Sequence, residues 1–151
     1  DESLKKELKD SATDERVVLV PMRDGVGLST NVFRPKDAKH ALPTILWKTP
    51  YNELGMQGSV QRYAVAAVKR GYAFVVQNER GRYLSEGKYE ILGHPQTDGY
   101  DTLSWIAKQP WSNGRVDLDT SEAGKDMRDN MVYLDGTPPA QPGACGSARR
   151  R

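Results

Sequence analysis

The stretch PTILWKTPYNELGMQGSVQRYAVAAVKRGYAFVV, residues 43–76, decides the fold. It opens on PTILW (43–47), a short apolar run between turn residues, which marks a strand buried on both faces. Lys48 to Asn52 then leaves as a loop. From Ser59 to Lys69 the apolar residues Val60, Tyr63, Ala64, Ala67 and Val68 recur at three- and four-residue steps, one face of a helix. Gly71 sits just past its end, where a left-handed C-cap is easiest. Tyr72 to Val76 is a second buried strand. Strand, helix and strand in this order predict a right-handed βαβ crossover and a parallel sheet.

Upstream, Arg16 to Met22 reads as a strand by its β-branched content, ended by the Arg23-Asp24-Gly25 turn. Leu28 to Phe33 alternates apolar and polar residues, as a strand with one solvated face does. The two predict an antiparallel hairpin. Residues 1–15 form a charged leader in which Leu4 and Leu8 allow a short surface helix; a frayed terminus fits equally well. Downstream, residues 78–99 carry Gly81, Gly87, Gly93 and Gly99 among many charges and predict a long loop. A second helix is expected from Asp98, with Asp98 and Asp101 at its positive end and Leu103, Trp105 and Ile106 among its apolar positions. Pro110 ends it, Asn113-Gly114 turns, and Arg115-Val116 should begin another strand. Beyond that the pattern fails. Residues 117–131 show no sustained period, and residues 136–151 hold three Pro, three Gly and three terminal Arg, a composition that predicts an irregular tail.

At 151 residues the chain has room for one modest domain, and its 37% hydrophobic content suits a globular protein. A mean hydropathy of −0.70 predicts that part of it stays unpacked. The net charge of +2 includes the arginines at 149–151, so the body is slightly acidic and makes no case for a nucleic-acid surface. One cysteine, Cys145, excludes an intrachain disulfide and makes no zinc site by itself. No run of eighteen apolar residues exists. The opening DESLKKELKD is no signal peptide, so the compartment, cytoplasmic or exported, is not legible.

Four blocks, in order, carry a resemblance: VPMRDGVGLSTNVFRP (20–35), KTPYN (48–52), RGYAFVVQNERGRYLSEGKY (70–89) and DGYDTLSWIAKQPWSNGRV (98–116). Together they resemble the start of the CocE/NonD family of α/β-hydrolases, relatives of Xaa-Pro dipeptidyl-peptidases, over residues 16–116. The resemblance implies an α/β-hydrolase sheet and a Ser–Asp–His triad that hydrolyses small esters or amides through an acyl-enzyme, with no cofactor. It also implies a role for Tyr51: its phenol donates to the oxyanion beside a backbone N–H near the nucleophile. Arg80, in Asn78-Glu79-Arg80-Gly81, reads as the holder of a structural ion pair; the family commonly has Asp where Asn78 stands.

The family places a G-x-S-Y-x-G nucleophile elbow right after the strand that follows SNGRV. Such an elbow needs glycines around a strained serine. Here the expected place reads DLDTSEAG (117–124). An ungapped match puts Glu122 at the nucleophile position; a shift by one puts Ser121 there with Asp119 and Ala123 where glycines belong. The acid and the base should follow the nucleophile, yet the only histidines, His40 and His94, precede it. Ser121 therefore keeps a plain hydroxyl's weak nucleophilicity. His94 beside Pro95 reads as a loop histidine, and Asp98 and Asp101 as helix-capping carboxylates.

The sequence thus predicts a partial α/β-hydrolase: a hairpin, two parallel strands and two helices over residues 16–116, followed by an irregular tail at 117–151. The chain is expected to be an inactive truncated or frame-shifted serine hydrolase. The alternative is a non-catalytic binding or dimerisation module that self-associates through an exposed sheet edge at residues 72–76.

Overall fold

A computed structural model describes residues 2–52, 59–91 and 94–118. A helix, α1 (Glu2–Ser11), leads directly into the first strand, β1 (Ala12–Pro21). There follow β2 (Gly27–Pro35), β3 (Leu42–Thr49), α2 (Ser59–Lys69), β4 (Ala73–Asn78), α3 (Pro95–Ala107) and β5 (Ser112–Leu118). The five strands form one sheet in the order β1-β2-β4-β3-β5. Strand β2 is antiparallel to both β1 and β4, whereas β3 runs parallel to β4 and to β5.

Neighbouring residues on the central strands explain the continuous apolar runs. Phe33, Trp47, Phe74 and Val76 face one layer with Leu8 of α1 and Val60, Ala64 and Val68 of α2. Val32, Leu46 and Val75 face the other, against Leu103 and Ile106 of α3. Side chains alternate across a strand, so a strand covered on both faces must be apolar at every position. A buried polar chain also crosses the second face. Gln77 of β4 donates to Thr30 Oγ1 at 3.1 Å and accepts from Thr102 Oγ1 of α3 at 2.8 Å.

The hairpin between β1 and β2 turns through Met22–Val26, where Met22 N–H donates to Val26 O at 2.8 Å. Gly25 has φ +85°, which a side chain would strain. The leader is ordered: Leu8 is buried against α2, and Glu7 pairs with Lys69. A single heptad-like leucine pair understates this helix because its partner surface, α2, is distant in sequence.

Four expectations need correction. Among the described residues three strands run parallel, not two, and β5 starts at Ser112, ahead of the expected Asn113-Gly114 turn, and reaches Leu118. Helix α3 begins at Pro95, not Asp98; proline fits the first helical turn because its missing N–H has no intrahelical partner there. The strand at residues 72–76 is no edge: β4 lies between β2 and β3, and the edges of the described sheet are β1 and β5. Finally, α3 has no side-chain cap hydrogen bond; Asp98 and Asp101 are used otherwise.

Candidate active site

Strands β3, β4 and β5 are parallel, so their carboxyl ends share one side of the sheet, the side on which open α/β sheets bind ligands. Registers Thr49↔Asn78 and Leu46↔Leu118 bring together there the KTPYN loop, the loop after Asn78 and the end of β5. Tyr51 stands in the first of these, 64% exposed, its ring free of the core.

Its backbone is held by buried groups. Asn78, fully buried, donates from Nδ2 to Tyr51 O at 2.7 Å and to Thr49 O at 3.3 Å. Tyr51 N–H donates to Thr49 Oγ1 at 3.1 Å, and Arg82 Nε donates to Pro50 O at 2.8 Å. The Arg82 guanidinium in turn lies 4.8 Å from the Tyr89 ring centroid. A carboxylate at position 78 has no N–H to give, so the amide is what lets this residue grip two carbonyls. Asn78 Oδ1 is buried with no hydrogen-bond partner among the described residues.

The loop after β4 folds back tightly. Gly81 N–H donates to Glu86 O at 2.8 Å, and Ser85 Oγ donates to Asn78 O at 2.9 Å. Gly81 has φ +69°, and a Cβ there would collide with the backbone of Tyr89. Only glycine allows that approach.

Beneath the loop sits a charged node. Arg80 forks onto Asp98, with Nε to Oδ2 at 2.9 Å and Nη2 to Oδ1 at 2.7 Å, and reaches Asp24 through Nη1 at 2.7 Å. Arg80 therefore holds a structural ion pair, as its place in the sequence suggests, and ties the hairpin turn to α3. Asp98 spends its carboxylate on Arg80, and Asp101 accepts from Arg23, Nη2 to Oδ1 at 2.8 Å; because the helix starts at Pro95, both also stand too far into it to act as caps. These hydrogen bonds hold the Asp24 and Asp101 carboxyls below the usual range, with Arg80 and Arg23 the respective donors.

Lys48, buried in the same region, escapes sequence reasoning. Burial pushes its ammonium down to about 8, against the pull of Asp98 and Glu79. Burial likewise raises the Glu79 carboxyl, opposed by Lys48 and Arg82. The available signal was position: Lys48 shares a strand face with Leu46, so the rule that both faces are buried should have included it.

The remaining candidates are scattered. His40 is exposed on the connection that enters β3, whereas Tyr51 follows its exit; an eight-residue strand, about 26 Å long, separates the two ends. His94 is exposed at the start of α3, and its carbonyl accepts from Asp98 N–H at 3.0 Å. Its side chain makes no hydrogen bond or ion pair among the described residues. Ser121, Glu122 and Cys145 lie outside the described residues. Among the described residues no cluster of three or more His, Cys, Asp or Glu could hold a metal ion, and no helix is long and apolar enough to cross a membrane.

Residues 24–118 match the family model of the X-Pro dipeptidyl-peptidase (S15 family). Cocaine esterase from Rhodococcus sp. (strain MB1 Bresler) is 38% identical over 103 residues, which are 67% of this chain and 18% of that protein. An α-amino acid ester hydrolase structure superposes with a TM-score of 0.61 at 33% identity, covering 72% of this chain and 21% of that one. A CocE/NonD family hydrolase from Staphylococcus aureus shares the fold, with a TM-score of 0.60 at 24% identity over 72% of this chain and 22% of its own. The chain thus spans about a fifth of the length of these relatives. With its five strands in α/β-hydrolase order and its match over residues 24–118, the chain belongs to the S15 family, within the CocE/NonD hydrolases.

Proposed function

We propose that residues 24–118 supply the strand-end floor and the oxyanion side of a site that hydrolyses ester or amide bonds through an acyl-serine, with Tyr51 as the oxyanion donor. One observation carries this reading: an exposed tyrosine just beyond the carboxyl end of β3, on a loop pinned by the buried Asn78 and next to the exit of β5. A phenol O–H on a fixed backbone can meet the charge that develops on a carbonyl oxygen without reorganising at the moment of reaction. The core loses nothing by leaving that ring exposed. A chemical role accounts for the clamp better than packing does.

The 151 residues by themselves do not complete the chemistry in this reading. Ser121 lacks flanking glycines, and both histidines come before it. The activity, and whether an ester or an amide is the natural substrate, rest on groups beyond the described residues.

The test is a chimera of residues 1–118 joined to cocaine esterase from its nucleophile elbow onward, assayed with p-nitrophenyl acetate. Tyr51→Phe in that chimera should lower kcat by about 10²–10³ and leave KM nearly unchanged, the pattern of an interaction made only in the transition state. A Tyr51→Phe chimera within about threefold of its parent would remove the oxyanion role.

A further inference from the structure

Among the described residues three arginines are half-buried: Arg34, Arg80 and Arg82. Arg34 pairs with Glu15, and Arg80 with Asp98 and Asp24. Arg82 makes no ion pair among the described residues; Glu79 lies within the field of its charge but outside ion-pair reach. A guanidinium partly withdrawn from water normally has a carboxylate beside it, because burying an unpaired charge is costly. Arg82 lacks one.

It is nevertheless held in place. Its backbone N–H donates to Glu79 O at 3.0 Å, and its carbonyl accepts from Ser85 N–H at 2.9 Å. Nε donates to Pro50 O at 2.8 Å, and the guanidinium lies 4.8 Å from the Tyr89 ring centroid and 5.4 Å from that of Tyr83. Both are cation–π distances. Tyr83 adopts φ +50°, a conformation that a bulky residue keeps only where its surroundings enforce it. The rings and Nε fix the direction of the fork, while Nη1 and Nη2 donate to nothing among the described residues. This unfilled fork stands on the loop that leaves β4, against the loop that carries Tyr51. Next to it in the chain, Tyr83 and Leu84 are more than half exposed.

We propose that Arg82 is the specificity-determining residue of the strand-end site, and that the site takes esters or amides carrying a second, free carboxylate. Nη1 and Nη2 each give a hydrogen bond to one carboxylate oxygen, a planar match that a lysine cannot make. The hydrocarbon between that carboxylate and the scissile carbonyl runs over the exposed Tyr83 ring, and the carbonyl comes up to Tyr51. A neutral ester leaves the fork unfilled, and an ammonium-bearing one meets a like charge. The inference rests on the reading of this face as the substrate side.

The experiment titrates the whole 151-residue protein with monomethyl adipate, dimethyl adipate and methyl 6-aminohexanoate at constant ionic strength, with arginine Nε–H resonances followed in ¹H–¹⁵N spectra. Monomethyl adipate should saturate the Arg82 signal with a Kd of roughly 10 mM, and the other two should leave it in place up to about 100 mM. In Arg82→Gln the accompanying shifts of the Tyr83 and Tyr89 backbone amides should vanish. Should that variant fail to fold, the comparison of the three ligands on the parent still decides. Three results overturn the proposal: no saturation by about 100 mM, an equal response to dimethyl adipate or to the ammonium ester, or an equal response at the exposed Arg62. No turnover is read. A chimera indifferent to Tyr51→Phe would therefore sink the oxyanion role alone, and an unresponsive Arg82 the carboxylate site alone.

Discussion

Lys48, buried, and Arg80, half-buried, are two cations near the same strand ends, and they differ in their partners. Arg80 forks onto Asp98 and also reaches Asp24. Removing it leaves a carboxylate buried at 6% exposure without its counter-charge. Arg80→Ala should therefore cost about 3 kcal/mol in urea unfolding, with Arg80→Lys intermediate because a point charge cannot make the fork. Lys48 has no such fork, and burial brings its ammonium down to about 8 from the ordinary 10.5. The sign follows from proton counting. Below about pH 8 both folded and unfolded chains carry the charge, so the folded state bears the whole cost of burying it. Between about 8 and 10.5 the unfolded chain holds more protons, and stability rises with pH. Lys48→Met should accordingly stabilise the protein by roughly 2 kcal/mol at pH 7, an advantage that shrinks as the pH climbs through that window. Paired urea titrations of the two proteins at pH 7 and pH 10 measure it.

Strand β1 carries a defect that its sequence hides. The register slips between Glu15 and Val18, and Val17 adopts φ +56° with its N–H given to Asn31 Oδ1 at 2.8 Å. A β-branched residue resists positive φ, so the bulge is held by that side chain and not by Val17 itself. Such bulges twist an edge strand away from stray pairing. Val17→Gly should raise stability by about 1 kcal/mol, and Asn31→Ala, which orphans a backbone donor and a buried site, should lower it by about 2 kcal/mol; thermal melts of both check this. The contrast with the central strands shows what a single sequence can disclose. Runs such as ILW and AFVV declare themselves because burial on two faces leaves no polar position. The bulge and the docking of α1 depend on Asn31 and α2, each supplied from elsewhere in the chain, so no local window contains them. The loop expected over residues 78–99 was legible from its glycines, but the close approach of Gly81 to Tyr89 was not.

The strand order β1-β2-β4-β3-β5 sets the limits of the molecule's chemistry. It delivers the KTPYN loop and the end of β5 to one side of the sheet, and it sends His40 to the other. Tyr51 and Arg80 could be picked from motifs because each stands in a short block, KTPYN and NERG, that resembles the family by its own few residues. Asn78 was noticed only as a departure from the family; its grip on Tyr51 requires two adjacent parallel strands to be in register, a fact that pairing alone reveals. On the reading proposed above, this polypeptide holds the oxyanion side of a serine hydrolase, while its 151 residues show no glycine-flanked serine and no histidine downstream of Ser121. Intact-mass measurement after treatment with an excess of a fluorophosphonate tests it most directly. The account predicts an unmodified protein alongside a fully labelled chimera; a stoichiometric adduct mapped to Ser121 would contradict it.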